Sequence, residues 1–214
     1  MGFGKSFGIG LLIFVVLNFV MNLLLAVAGG AYLGITPVDI SEFFGALSSG
    51  NYWWFFSHLF TFSGGLDLSA LTGGTLTGTL GGLMPASFSI LIGAASGISL
   101  FTAATPDYFL GIVMILGPIL PGLIAAIVAG KMADTPPQGF GSMILISVVS
   151  AVALLIFYIV DSSQMANHLA IAALISGLMG GGSADTLMYI AVPIMGLFFG
   201  MFWSGISAVL GREF

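Results

Sequence analysis

What most constrains this chain is where its charges are absent. Long apolar runs follow one another along 214 residues, and nearly every ionisable side chain stands at the end of a run or between two runs. The acids are Asp39, Glu42, Asp67, Asp107, Asp134, Asp161, Asp185 and Glu213; the bases are Lys5, Lys131 and Arg212. A charged side chain at bilayer mid-depth is costly, and where present it usually marks an ion path, a proton relay or a voltage sensor. This sequence puts none there, so those functions are not expected of it.

Charged residues make up 5% of the chain and hydrophobic ones 58%. Soluble domains average about 25% charged, so lipid must solvate much of this surface. The length suits one domain. With no basic patch, nucleic acid is not expected as a partner, and neither is a polybasic grip on anionic headgroups. The absence of cysteine removes disulfides, thiolate metal sites, iron–sulfur ligation and cysteine nucleophiles.

The expected fold class is all-α, a polytopic transmembrane helix bundle. Six segments are long enough, or nearly so, to cross a hydrocarbon core of about 30 Å at 1.5 Å per residue. They cover residues 7–33, 85–104, 108–130, 142–160, 166–180 and 187–210. The chain then reads as one integral membrane domain, 1–214, with a first span in 1–33, an interfacial or re-entrant segment in 34–84 and a five-span bundle in 85–214. The first run is too long for a signal-peptide core of about 7–15 residues and is expected to stay as a helix. Lys5 puts its start on the cytoplasmic side. Short links such as Thr105-Pro106-Asp107 force antiparallel neighbours, and Asp134, Pro136 and Pro137 lie in a polar break.

Segment 34–84 is too long for a plain loop. Its aromatic block, Tyr52-Trp53-Trp54-Phe55-Phe56, suits a helix lying at the headgroup layer, with Trp53 and Trp54 as interfacial anchors. A re-entrant hairpin is the rival. Residues 71–83 are almost entirely Gly, Thr and Leu. In lipid their backbone needs internal partners, so they either pack tightly as a helix or re-enter against protein.

Glycine spacing is the strongest pattern. Gly93/Gly97, Gly177/Gly181 and Gly196/Gly200 each repeat at four residues, which gives a helix a shallow face that another backbone can approach closely. These faces are candidates for internal packing or for docking a partner. Asn18 and Asn22 stand one turn apart on the first helix, as interhelical glue or part of a polar path. Gly117, Pro118, Pro121 and Gly122 fall mid-span, where missing N–H groups should kink or break the helix. Broken helices at that depth are the best sequence pointer to a solute site.

The two histidines, His58 and His168, are a thin basis for a metal, and no cofactor is expected. Ser96 lies in Gly93-Ala94-Ala95-Ser96-Gly97, one residue off the Gly-x-Ser-Gly of intramembrane serine proteases. No catalytic residue is expected. The leading expectation is a non-catalytic structural or accessory subunit of a larger membrane assembly at the cell membrane. Its partners would be the lipid bilayer and other membrane subunits or further copies of itself. The alternative is a small channel or transporter for a neutral or apolar solute, its path lined by Asn18, Asn22, Gly117, Pro118, Pro121 and Gly122.

Overall fold

A computed structural model describes residues 2–28, 41, 44–45, 48–50, 52, 56, 59–60, 66–67, 79–80, 97–98, 100–103, 106–160, 197–198 and 200–211. Its helices are α1 (Gly2–Val27), α2 (Tyr108–Leu116), α3 (Leu120–Met132) and α4 (Pro136–Val160), followed by α5 (Gly200–Leu210). α1 and α4 are long and apolar enough to cross a membrane, and the bent pair α2–α3 makes a third if counted as one span. The expected segment 166–180 lies outside the described residues, and so does most of 85–104.

Helix dominates the described residues. The exception to the all-α expectation is a two-residue antiparallel ladder, Leu66–Asp67 with Thr79–Leu80, in register Leu66↔Leu80 and Asp67↔Thr79. Threonine suits extended backbone and glycine weakens helix, so a Gly/Thr segment is the natural place for it.

Two helix starts differ from the expected ones. α1 begins at Gly2, ahead of residue 7, because its first turns are held by neighbours: Ser6 Oγ donates to Ala129 O at 2.6 Å. α4 begins at Pro136, ahead of residue 142. Proline is tolerated in a first turn, where its missing N–H is not needed. Gln138 Oε1 accepts from Asp134 N at 3.1 Å, and Thr135 O accepts from Gln138 N and Gly139 N at 3.0 and 3.2 Å. The polar break thus shrinks to residues 133–135.

Contacts fix the direction of each helix. Ser6 of α1 meets Ala129, and a Cβ on Gly10 would stand 3.1 Å from Ala129 Cβ and 3.7 Å from Ala125 O, so α1 and α3 are antiparallel. A Cβ on Gly122 would meet Trp203 and one on Gly130 would meet Leu210, so α3 and α5 are parallel. Ser207 Oγ donates to Gly139 O at 2.9 Å, and Gly200 faces Ser147, so α4 and α5 are antiparallel. The start of α1, the end of α3, the start of α4 and the end of α5 therefore gather at one end of the bundle. Lys5 and Lys131 are both at that end.

Two buried clusters stack along α1. Phe14, Ala125, Ala126, Met143, Ile146 and Trp203 form the first, and Met21, Leu25, Leu100, Leu110, Val113 and Met114 the second. Opposite this packed side, Leu12, Val16 and Val20 recur every fourth residue on an exposed apolar stripe of α1. Met201, Phe202 and Val209 of α5 are likewise exposed.

The described positions 41, 44, 45, 48, 52 and 56 are helical. Ser150 Oγ, near the middle of α4, donates to Phe60 O at 2.9 Å. Trp53 and Trp54 themselves lie outside the described residues.

Candidate functional site

The interruption between α2 and α3 is built by sequence. Asp107 caps α2, its carboxylate accepting from Leu110 N at 2.9 Å. The helix runs to Gly117, whose N–H still reaches Val113 O at 2.8 Å. Pro118 has no N–H to offer Met114 O, and Pro121 has none for Gly117 O. Ile119 N turns instead to Leu116 O, three residues back, at 3.1 Å, and regular bonding resumes at Leu123 N to Ile119 O, 2.9 Å. The axis bends by 41° across the break. Gly117, Pro118, Pro121 and Gly122 are all buried.

Two neighbours cover this break. Trp203 of α5, 5% exposed, fills the notch left by Gly122: a Cβ there would lie 2.7 Å from Trp203 Cε2 and 2.8 Å from Nε1. On the other side runs α1. Ser6 and Gly10 both meet Ala129. Further along α1, Phe14 shares a cluster with Ala125 and Ala126, and Met21 shares one with Val113 and Met114, so Asn18 stands between those levels, beside the break.

Asn18 is fully buried and Asn22 is 2% exposed. Asn18 Nδ2 donates to Phe14 O at 3.0 Å, and Asn22 Nδ2 to Asn18 O at 2.9 Å. Both amides thus bond back to their own helix. Asn18 Oδ1 is buried with no hydrogen-bond partner.

Of the glycine faces, Gly97 and Gly200 can be placed. A Cβ on Gly97 would stand 2.7 Å from Gly111 O and also meet Ile115 of α2, and one on Gly200 would stand 2.6 Å from Ser147 Cβ of α4. Both glycines face helices. Gly93, Gly177, Gly181 and Gly196 lie outside the described residues, as do His58, His168 and Ser96.

Sequence reading passed over the serines that join helices. Ser6, Ser142 and Ser207 donate to Ala129 O, Phe3 O and Gly139 O at 2.6, 3.4 and 2.9 Å. The available signal was small-residue spacing: Gly2, Ser6 and Gly10 repeat at four, as Gly93 and Gly97 do. Gly130 and Gly139 were passed over too, and the backbone of Ser207 packs directly on both.

Comparison with family models, curated proteins and solved structures finds no match for this chain.

Proposed function

We propose that the chain is a multi-pass integral protein of the cell membrane without chemistry of its own, a structural or accessory subunit within a larger membrane assembly. One observation carries this reading: the buried hydroxyls of Ser6, Ser142 and Ser207 tie helix to helix. Helices in lipid gain no hydrophobic drive toward one another, so close glycine contacts and such bonds are what hold a bundle together. Outside this packed interior, the apolar stripes on α1 and α5 are available to lipid or to other subunits.

Six crossings remain the proposed count, with a revised path. Residues 97–102 pack back along α2, Gly97 on Gly111 and Phe101 on both Gly111 and Tyr108. The described residues of 97–102 thus run antiparallel to α2 and parallel to α1. Two parallel crossings need a return between them, and Phe60, beside the middle of α4, is the proposed place for it. α4 and α5 are antiparallel, so the end of α4 and the start of α5 lie at one end of the bundle. The proposed crossings are α1, the return, 85–104, α2–α3, α4 and α5. Lys5 and Lys131 share an end, and the bias of cytoplasmic loops toward Lys and Arg makes that end cytoplasmic.

A small channel or transporter for a neutral or apolar solute is the second reading, favoured by the buried helix break beside Asn18. Two measurements on the same preparation separate the readings. The first is the mass of the assembly extracted from native membranes without detergent. The second is solute flux through the purified chain in liposomes. A defined complex and no flux support the subunit; a lone chain with solute-specific flux overturns it.

A further inference from the structure

We infer that Asn18 and the break between α2 and α3 form a binding site for one small neutral hydrogen-bond donor, held as a water molecule in the resting protein. The site goes beyond the subunit reading and does not depend on it. Asn18 is 0% exposed, and its Oδ1 has no partner. A buried amide oxygen left unpaired carries the full cost of its lost hydration. Its amide orientation is fixed, because Nδ2 is needed by Phe14 O.

Asn18 stands between Phe14, which packs with Ala125 and Ala126, and Met21, which packs with Val113 and Met114, and so lies beside the break. There Pro118 and Pro121 deny helical donors to the carbonyls of Met114 and Gly117, and both residues are buried. Asn18 Oδ1 thus lies beside a break where two carbonyls have lost their helical donors. Asn18 sits about 5 Å along α1 from the middle of that helix at 1.5 Å per residue, well inside a hydrocarbon core of about 30 Å. A donor must therefore come from outside the helices.

That donor is neutral. The two acids whose side chains are described, Asp107 and Asp134, are exposed at segment ends and do not compensate a cation at this depth, where an uncompensated charge is costly. It is also small, because Trp203 already fills the notch beside Gly122. Water fits both limits, and a buried water typically makes about three hydrogen bonds.

The test uses the full chain, labelled with carbon-13 and nitrogen-15, in lipid bilayers. Solid-state NMR then reads magnetisation transferred from water to individual residues. The site requires fast transfer to the Asn18 side chain and to Gly117, comparable to that at exposed Asp134, and none at Phe14 or Leu25. Asn18→Leu should abolish transfer at Gly117. Pro121→Ala, which restores an N–H to Gly117 O, should reduce transfer at Gly117 while Asn18 keeps its own, and it serves if the first variant does not fold. Added methanol, a competing small donor, should lower transfer at both positions together. Absence of transfer at Asn18 overturns the site, as does transfer at Gly117 that survives Asn18→Leu. A signal that changes when sodium or potassium is replaced by choline would assign a cation and overturn the neutral donor.

Discussion

Gly122→Ala places one methyl group where Trp203 already stands. The new Cβ would lie 2.7 Å from Trp203 Cε2 and 2.8 Å from Nε1. Carbon atoms pack best at about 3.5–4.0 Å, so the indole must retreat by about 1 Å. It has little room, being 5% exposed and packed among Phe14, Ala125, Ala126, Met143 and Ile146. Overpacking of this kind costs about 1–3 kcal/mol. Alanine returns about 0.5–1 kcal/mol of helix propensity over glycine, which leaves a net loss of about 1 kcal/mol. At RT of about 0.6 kcal/mol that lowers the folding equilibrium about fivefold. The assay is reversible unfolding in mixed micelles with a rising fraction of denaturing detergent, followed by circular dichroism. Its control is Trp203→Leu, which removes the ring. In that background the methyl no longer collides, and Gly122→Ala should become neutral or stabilising by up to about 1 kcal/mol. The same loss in both backgrounds, or no loss in either, would refute the contact between α3 and α5.

Ser6→Ala and Ser207→Ala should each destabilise by about 1 kcal/mol in the same assay, while Ser48→Ala, whose hydroxyl makes an exposed local bond, should change little. Gly200→Leu should cost about 1–3 kcal/mol, because its side chain would enter the space of Ser147; unchanged stability would remove α5 from the face of α4. The chain has no cysteine, so Lys5→Cys and Asp134→Cys can be labelled singly with a membrane-impermeant maleimide in sealed vesicles. Both should react from the same side, and opposite sides would contradict the antiparallel pairing of α1 with α3.

That the chain forms apolar helices long enough to cross a membrane was readable, because charge depletion over 20-residue lengths has few other causes. The break in the third span was readable for a similar reason: Pro118 and Pro121 act through missing N–H groups, whatever surrounds them. Helix starts were harder to read. Pro136 looks like a barrier from its sequence, yet a first turn accepts it, and only the bonds around Thr135 and Gln138 show that it begins α4. Strand direction and helix direction depend on tertiary contacts, so the gathering of Lys5 and Lys131 at one end was not legible. Asn18 and Asn22 were visible as a pair, but their i, i+4 spacing fits a back-bonded helix, an interhelical bond and a polar path equally. What separates the two residues is the unpartnered Oδ1 of Asn18, a property of the packed protein. The serine ties were missed because a serine in an apolar run carries no signal of which carbonyl it will find.

The central claim is that buried serines tie the helices of this bundle together and that the chain acts as part of a larger membrane assembly. Its most direct test is native mass spectrometry of the chain extracted within its own lipid, read beside liposome flux for the wild type and Asn22→Leu. The account predicts a reproducible complex heavier than the 22.0 kDa chain, no solute flux, and for Asn22→Leu a stability change below about 2 kcal/mol. A lone chain that carries a specific solute, with flux abolished in a folded Asn22→Leu variant, would contradict it.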